Sequence, residues 1–190
     1  MVGGMQAEAV AEANRGYQLD PLSPTITMNA GYVLAMAGRY EDGFTICSKV
    51  TQESPSFARA HYCLPYIYRA KGNYAKYVDE EKLYGRLSGS SDNIALADAL
   101  AEGFHAGGWK SAGEKGIAEL LKQRKTGYAS PFEIAAYYAE LGDKDRAFTW
   151  LDTAYEERAF EMESLKTHFA LSSLRSDPRF AELVRKVGLP

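Results

Sequence analysis

Four glycines recur at nearly constant intervals along the 190-residue chain. Gly38, Gly72, Gly107 and Gly142 are separated by 34, 35 and 35 residues, and each lies between two amphipathic helical patterns. A glycine just past a helix end adopts the left-handed backbone conformation at little cost, which allows a tight turn into the next helix. Because self-similarity at such a period is typical of repeat architectures, the sequence predicts a series of helical hairpins.

Helix starts are also marked in the sequence. Ser23-Pro24 and Ser130-Pro131 place a capping hydroxyl before a proline at the first helical position, and Asp92 and Asp177 can cap two further helices. No segment shows the alternating pattern of a strand. The predicted helices span residues 5–18, 24–37, 41–53, 57–71, 74–87, 93–106, 110–125, 131–141, 144–157 and 177–187.

The composition is that of an ordinary globular protein, with 46% hydrophobic and 25% charged residues. The formal net charge of −3 argues against a wide basic surface, so we expect no nucleic-acid partner. The most apolar stretch, 32–37, is too short to span a bilayer, and the first residues show no signal-peptide pattern. We therefore expect a cytoplasmic protein without membrane contact.

The sequence contains two cysteines, Cys47 and Cys63. Two cysteines are too few for a disulfide framework, and their spacing does not match a zinc site. Cys47 falls where a small residue packs between paired helices. We expect both cysteines to be buried, unreactive thiols, as in a reduced cytoplasmic setting.

Small and aromatic residues occupy recurring positions within the repeated segments. In 24–57, Gly31 stands at the eighth position, Tyr40 follows the turn glycine, and Pro55 ends the unit. The pattern resembles the tetratricopeptide repeat (TPR) family, whose 34-residue unit folds into two antiparallel helices. Matching residues in 58–91 and 128–160 are Leu64, Tyr68, Tyr74, Tyr84, Ile134, Tyr138, Ala147 and Ala154.

The resemblance implies an all-α, right-handed solenoid of helical hairpins, with about four helix pairs, a leading half-repeat and a C-terminal capping helix. We expect residues 1–190 to form a single domain. Its predicted parts are a half-repeat at 5–21, repeats at 24–57, 58–91, 93–126 and 128–160, and a cap at 161–190.

Three features depart from the repeat pattern. Pro65 lies inside a predicted helix and should kink it or remove a hydrogen bond. Tyr77 replaces the small residue that lets paired helices approach, so we expect that pair to spread or shift. The segment 93–126 keeps Gly107 and Trp109 but little else of the pattern, which makes it a degenerate repeat.

A second resemblance concerns the end of the sequence. The segments 142–151, 154–158 and 174–180 are similar to the C-terminal TPR arrays of larger bacterial transcriptional regulators and signalling kinases. In such proteins the array is a sensory or docking region beside another domain. The resemblance therefore implies a scaffold or regulatory fragment, or a stand-alone descendant of one.

A TPR-like fold implies a concave groove built by the first helix of each pair. Aromatic side chains there would give a large contact area, and arginines can hold carboxylates bidentately. We expect a non-catalytic module that binds a protein or peptide with an acidic group; the other interpretation is that these side chains simply pack between helices. The predicted groove residues are Met28, Tyr32, Met36, Arg59, Tyr62, Tyr66, Arg69, Phe104, His105 and Phe132.

The alternative function is a small hydrolase-type enzyme whose site occupies the same groove, with Tyr62, Tyr66, Arg69 and His105 as its first candidates. The sequence contains neither a Ser-x-x-Lys motif nor a Gly-x-Ser-x-Gly elbow. The three histidines share no metal-ligand spacing. We therefore expect no catalytic residues, no metal and no cofactor.

The two ends of a repeat array need polar outer faces. The segment 178–187 places charged residues on one side and apolar residues on the other, as expected of a cap. The alanine-rich segment 5–17 has no predicted partner helix before it. We expect this end to pair with another domain, with a second copy as a homodimer, or with a partner protein.

Overall fold

The computed structural model describes the backbone of residues 2–189 and the side chains of residues 6–189, and this range contains helices and turns but no strand. The prediction of an all-α fold is confirmed. The chain divides after Ala97 into two compact units, here termed the N-unit and the C-unit. The α-helices are α1 (Val2–Leu19), α2 (Pro24–Met36), α3 (Tyr40–Glu53), α4 (Cys63–Ala70), α5 (Tyr74–Ser88), α6 (Ser91–Gln123), α7 (Pro131–Glu140), α8 (Lys144–Glu156) and α9 (Pro178–Val187), and 3₁₀ helices span Ala58–Tyr62, Phe160–Ser164 and Phe169–Leu174.

The N-unit is built around the contact between α2 and α3. Gly31 and Gly43 allow the two backbones to approach, because a Cβ atom at Gly43 would lie 2.7 Å from the carbonyl oxygen of Gly31. Helix α1 packs against α2, and α4 packs against both α3 and α5. The resulting core buries Met28, Val50 and Ile67.

Two of the predicted glycine turns lie in the N-unit. Gly38 follows α2 with φ +80°, and Gly72 follows α4 with φ +70°. Ser23 caps α2, its Oγ accepting a hydrogen bond from the N–H of Ile26 at 3.4 Å. These predictions are confirmed, since each depends on a few neighbouring residues only.

The predicted single helix 57–71 is instead two segments. A 3₁₀ helix covers Ala58–Tyr62, and α4 begins at Cys63. This start places Pro65 at the third position of α4, where the missing N–H has no helical acceptor in any case. The proline therefore neither kinks a helix nor removes a hydrogen bond, because it falls in the first turn.

In the C-unit, the predicted turn at Gly107 lies one residue later. Gly107 is extended, with φ −163°, and its neighbour Gly108 takes the left-handed conformation with φ +66°. The kink separates two arms of α6, which correspond to the predicted helices 93–106 and 110–125. The arms pack closely, since a Cβ atom at Gly103 would lie 2.5 Å from the Ser111 carbonyl oxygen.

The predicted cap Asp92 is corrected as well. Helix α6 begins at Ser91, so Asp92 lies inside its first turn. The Oγ of Ser90 instead accepts the N–H of Asn93 at 3.4 Å. A carboxylate in the first turn still suits the positive end of the helix dipole.

Helices α7 and α8 form the hairpin at the centre of the C-unit. The Oγ of Ser130 accepts the N–H of Glu133 at 3.2 Å, and Gly142 makes the turn between the helices with φ +84°. Both features were predicted. The 3₁₀ helices Phe160–Ser164 and Phe169–Leu174 were not, and the second of them packs against α7.

The last helix, α9, contacts α8 and carries a polar outer face. Asp177 caps it as predicted, accepting the N–H of Arg179 at 3.0 Å. Phe180 and Leu183 are buried, whereas Arg185 is exposed. Among the described residues, none of the helices is both long enough and apolar enough to cross a bilayer.

Candidate functional site

Four tyrosines of the N-unit are in ring contact, and they are termed the tyrosine cluster below. The ring centroids of Tyr66 and Tyr32 are 5.2 Å apart, those of Tyr32 and Tyr62 5.4 Å, and those of Tyr62 and Tyr84 6.0 Å. All three pairs are tilted or edge-to-face, which are the favourable arrangements for aromatic rings. The result is a continuous row of aromatic side chains.

Separate elements of the N-unit contribute to this row. Tyr32 lies on α2, Tyr62 ends the 3₁₀ helix, Tyr66 lies on α4, and Tyr84 lies on α5. Helix α2 packs against both the 3₁₀ helix and α4, which brings the first three rings together. Tyr62 is 48% exposed, and the other three are partly buried. The row therefore presents aromatic surface to solvent while its inner edges rest on the core.

The sequence prediction found three members of the cluster and missed the fourth. Tyr32, Tyr62 and Tyr66 were placed in the groove because they lie on predicted first helices. Tyr84 lies on α5, the second helix of its pair, which the prediction did not consider. Its ring contact with Tyr62 follows from the packing of α5 against the 3₁₀ helix Ala58–Tyr62.

The other predicted groove residues of the N-unit occupy different environments. Met28 is buried in the core, and Met36 is partly buried at the end of α2. Arg69 is buried, with its guanidinium 5.5 Å from the centroid of the Tyr77 ring. Arg59 is exposed on the same 3₁₀ helix as Tyr62. Of the two predicted arginines, Arg59 is thus the one on the surface.

Arg59 and Tyr62 share a face of their helix. Side chains three residues apart on a 3₁₀ helix are eclipsed, because this helix has three residues per turn. The exposed guanidinium and the exposed phenol ring therefore point in a similar direction. A carboxylate bound by Arg59 could belong to a ligand that also contacts the tyrosine cluster.

The buried side chain of His61 supports this 3₁₀ helix. It is buried, with Nε2 3.0 Å from the carbonyl oxygen of Pro55 and Nδ1 3.4 Å from Oε2 of Glu80. A carbonyl oxygen accepts hydrogen bonds only, so Nε2 donates to Pro55. The Nε2–H bond thereby holds the turn before the 3₁₀ helix to the helix itself, while Nδ1 lies against Glu80 of α5.

Cys47 and Cys63 form a disulfide, contrary to the prediction of two free thiols. Their Cα atoms are 6.0 Å apart, and both residues are fully buried between α3 and α4. The helix packing brings together two residues that are 16 apart in sequence. Because the expectation of a reduced cytoplasmic setting rested partly on free thiols, the disulfide removes that support.

The predicted groove residues of the C-unit are dispersed. Phe104 is partly buried, and His105 is exposed. Phe132 is in the core, where its ring packs edge-on against His168 at 5.2 Å between centroids. Phe132 therefore contributes to packing and offers no surface to a ligand.

A shallow depression of about 550 Å³ lies where the turn between α7 and α8 meets Arg179. Arg179 pairs with Asp145 at 2.8 Å and with Asp177. The hydrogen bonds that the Arg179 side chain and backbone N–H donate to Asp177 lower the pKa of that carboxyl group to about 2. Its charged groups thus largely compensate one another. Within the described range, no group of three or more His, Cys, Asp or Glu residues is arranged to hold a metal ion.

A segment of 69 residues, 36% of this chain, is 36% identical to the TPR repeat-containing thioredoxin TTL4 of Arabidopsis thaliana. The match covers 10% of that protein, so the chain spans only a small part of the relative's length. No protein-family model matches the chain, and no solved structure matches it. The similarity supports the interpretation of the helical hairpins as TPR-like.

Proposed function

We propose that the chain is a non-catalytic interaction module that binds a protein or peptide through the tyrosine cluster. The main observation that supports this proposal is the continuous row of four tyrosine rings, in which Tyr62 is half-exposed. The row runs through Tyr66, Tyr32, Tyr62 and Tyr84. Tyrosine gives a large contact area with few rotatable bonds, which makes it common at the centres of protein interfaces. The TPR-like relative supports the same general function.

The proposed ligand is a peptide segment that carries an acidic group. Arg59 is exposed beside Tyr62 on one face of the 3₁₀ helix. A guanidinium can bind a carboxylate through two parallel hydrogen bonds, which adds direction to the contact. Arg69 is not part of this surface, since it is buried against Tyr77.

The biological setting proposed for this module is that of a scaffold or regulatory segment. The similarity of 142–151, 154–158 and 174–180 to the TPR arrays of bacterial regulators and signalling kinases supports a docking or sensory role. No specific observation favours the hydrolase-type alternative. Of its candidates, Arg69 is buried against Tyr77.

Self-association through α1 is a separate part of the proposal. Ala7, Ala9 and Ala11 are exposed along α1, and Leu19 at its end and Leu22 in the turn that follows are largely exposed. Small side chains would let a second copy of α1 approach closely. Light scattering across a concentration series should show a mass that rises towards the dimer, and a strict monomer throughout would exclude this part.

The binding proposal is tested with short synthetic peptides, one set rich in Asp and Glu and a matched set rich in Lys. Fluorescence polarisation should show binding of the acidic set, with affinity reduced about tenfold or more by Tyr62→Ala. The matched control is Tyr128→Ala, because Tyr128 is 66% exposed in the C-unit. Arg59→Ala should weaken binding of the acidic peptides, whereas Arg185→Ala should not. Equal losses from Tyr62→Ala and Tyr128→Ala would refute the site.

A further inference from the structure

We infer that the Cys47–Cys63 disulfide is a redox-controlled lock on the tyrosine cluster, so that its reduction loosens the cluster and weakens peptide binding. The part about binding rests on the proposed function. The disulfide joins α3 to α4 and closes a loop of the chain that contains the whole 3₁₀ helix Ala58–Tyr62. The covalent link therefore constrains the segment that carries Tyr62 and Arg59.

The residues of the disulfide adjoin three of the four tyrosines. Cys63 directly follows Tyr62 and lies one helical turn before Tyr66. On α2, a Cβ atom at Gly31 would overlap the Sγ of Cys47, and Gly31 directly precedes Tyr32. Tyr32 and Tyr66 also pack against the core cluster that contains both cysteines. A displacement at the disulfide would thus reach these rings directly.

The locked segment has modest stability of its own. A 3₁₀ helix has poorer hydrogen-bond geometry than an α-helix and forms mostly short pieces. Ala58–Tyr62 has no side-chain hydrogen bond at its N-cap. The His61 contacts hold one side, and the disulfide holds the other.

Reduction increases the volume that the two sulfur atoms occupy in the core, because two thiols that are no longer bonded lie further apart than two bonded sulfurs. Two thiols replace one S–S bond at positions that are fully buried, and one of them abuts the backbone of Gly31. Well-packed interiors accommodate added volume only through shifts of side chains and backbone. The 3₁₀ helix is the neighbour with the least regular structure, so we expect the shift to fall there and on Tyr62.

The reaction is thiol–disulfide exchange with a dithiol reductant. A thiolate of the reductant attacks one cysteine sulfur, the S–S bond breaks, and a mixed disulfide forms. The second thiol of the reductant then displaces that cysteine. Two electrons and two protons pass to Cys47 and Cys63, which become thiols, and the reductant becomes a disulfide. Because both sulfurs are buried, attack requires local opening of the protein.

The first experiment measures hydrogen exchange of the full chain in oxidised form and after treatment with dithiothreitol. Exchange across 58–70 should become faster on the order of 100-fold on reduction, as expected for release of a loop of this size. Residues 131–156, in the C-unit, provide the internal reference and should not change. A Cys47→Ala, Cys63→Ala variant lacks the cross-link, so its residues 58–70 should exchange faster than those of the oxidised wild type, and dithiothreitol should not change their exchange. Equal exchange of 58–70 in oxidised and reduced wild-type protein would overturn the inference.

The second experiment repeats the acidic-peptide titration with both redox forms. We expect about a tenfold weaker affinity after reduction. Faster exchange with equal affinity in both forms would overturn the regulatory role and leave the proposed function intact. Faster exchange in a protein whose oxidised form binds no acidic peptide would refute the proposed function and support the lock as a structural device.

Discussion

The substitution Gly31→Ala tests the packing on which the N-unit depends. A Cβ atom at this position would overlap the Sγ of Cys47 and lie 3.2 Å from the Gly43 carbonyl oxygen. Neither neighbour can rotate away, since one is backbone and the other is cross-linked to Cys63. Helices α2 and α3 would have to separate, and such overpacking costs roughly 2–3 kcal/mol at the upper end of its range.

Alanine also has a favourable effect that must be subtracted. In a helix interior, alanine is more favourable than glycine by about 1 kcal/mol of helix propensity. The net expectation for Gly31→Ala is a loss of about 1–2 kcal/mol of unfolding free energy. Gly16→Ala is the matched control, because its Cβ would meet only Ile26 at an ordinary contact distance of 3.7 Å. This control should stabilise the protein by about 0.5–1 kcal/mol.

Urea denaturation followed by far-UV circular dichroism gives both unfolding free energies. The two tryptophans, Trp109 and Trp150, lie in the C-unit, so their fluorescence reports on the surroundings of that unit. The Gly31→Ala loss should become smaller in a Cys47→Ala, Cys63→Ala background, because the overlapping sulfur is then absent. The reasoning is refuted if both glycine substitutions stabilise the protein, or if the cysteine substitutions leave the Gly31→Ala loss unchanged.

Two further predictions concern hydrogen bonds and charge. His61→Ala should lower the unfolding free energy by about 1–3 kcal/mol in urea titrations, since it removes the side chain that contacts Pro55 and Glu80. The control His105→Ala, at an exposed position, should change the unfolding free energy by no more than about 0.5 kcal/mol. Equal effects of the two substitutions would contradict the role of His61. Arg179 lowers the pKa of Asp177 to about 2, so the pair stabilises the fold above the unfolded pKa of about 3.9, and this contribution disappears as the pH falls through about 2. Stability measured between pH 5 and 2 should therefore fall less in Asp177→Asn than in wild type, and identical profiles would show that the pair does not contribute.

Local chemistry explains which turns could be predicted. Gly38, Gly72 and Gly142 each stand alone after a helix, so each is the residue that takes the left-handed conformation. Gly107 and Gly108 are adjacent, and either could take it. The choice depends on how the two arms of α6 pack against each other where Gly103 meets Ser111, which is a tertiary contact and not a property of the glycine pair itself. The sequence therefore predicts a turn here but not which glycine forms it.

The candidate site was predicted only in part, because the sequence does not indicate that the segment 58–62 forms a 3₁₀ helix and not an α-helix. The groove was mapped with α-helical geometry, in which each residue advances by about 100°. In the 3₁₀ helix Ala58–Tyr62 each residue advances by about 120°, so five residues shift the face by about 100°. Arg59 and Tyr62 become eclipsed, and the phase of α4 no longer continues that of the segment before it. This change of helical phase agrees with the burial of Arg69 and the exposure of Tyr62.

Pro65 links this change of register to the disulfide. A proline fits an α-helix only in its first turn, so the helix that contains Tyr66 must begin close to Pro65. It begins at Cys63, and the residues before it form the 3₁₀ helix instead. The same start places Cys63 opposite Cys47 and directly after Tyr62. A substitution of Pro65 that extends α4 towards residue 58 would therefore rotate Tyr62 away from Tyr32. The same rotation would move Cys63 relative to Cys47. We therefore expect the ring contacts and the cross-link to be lost together.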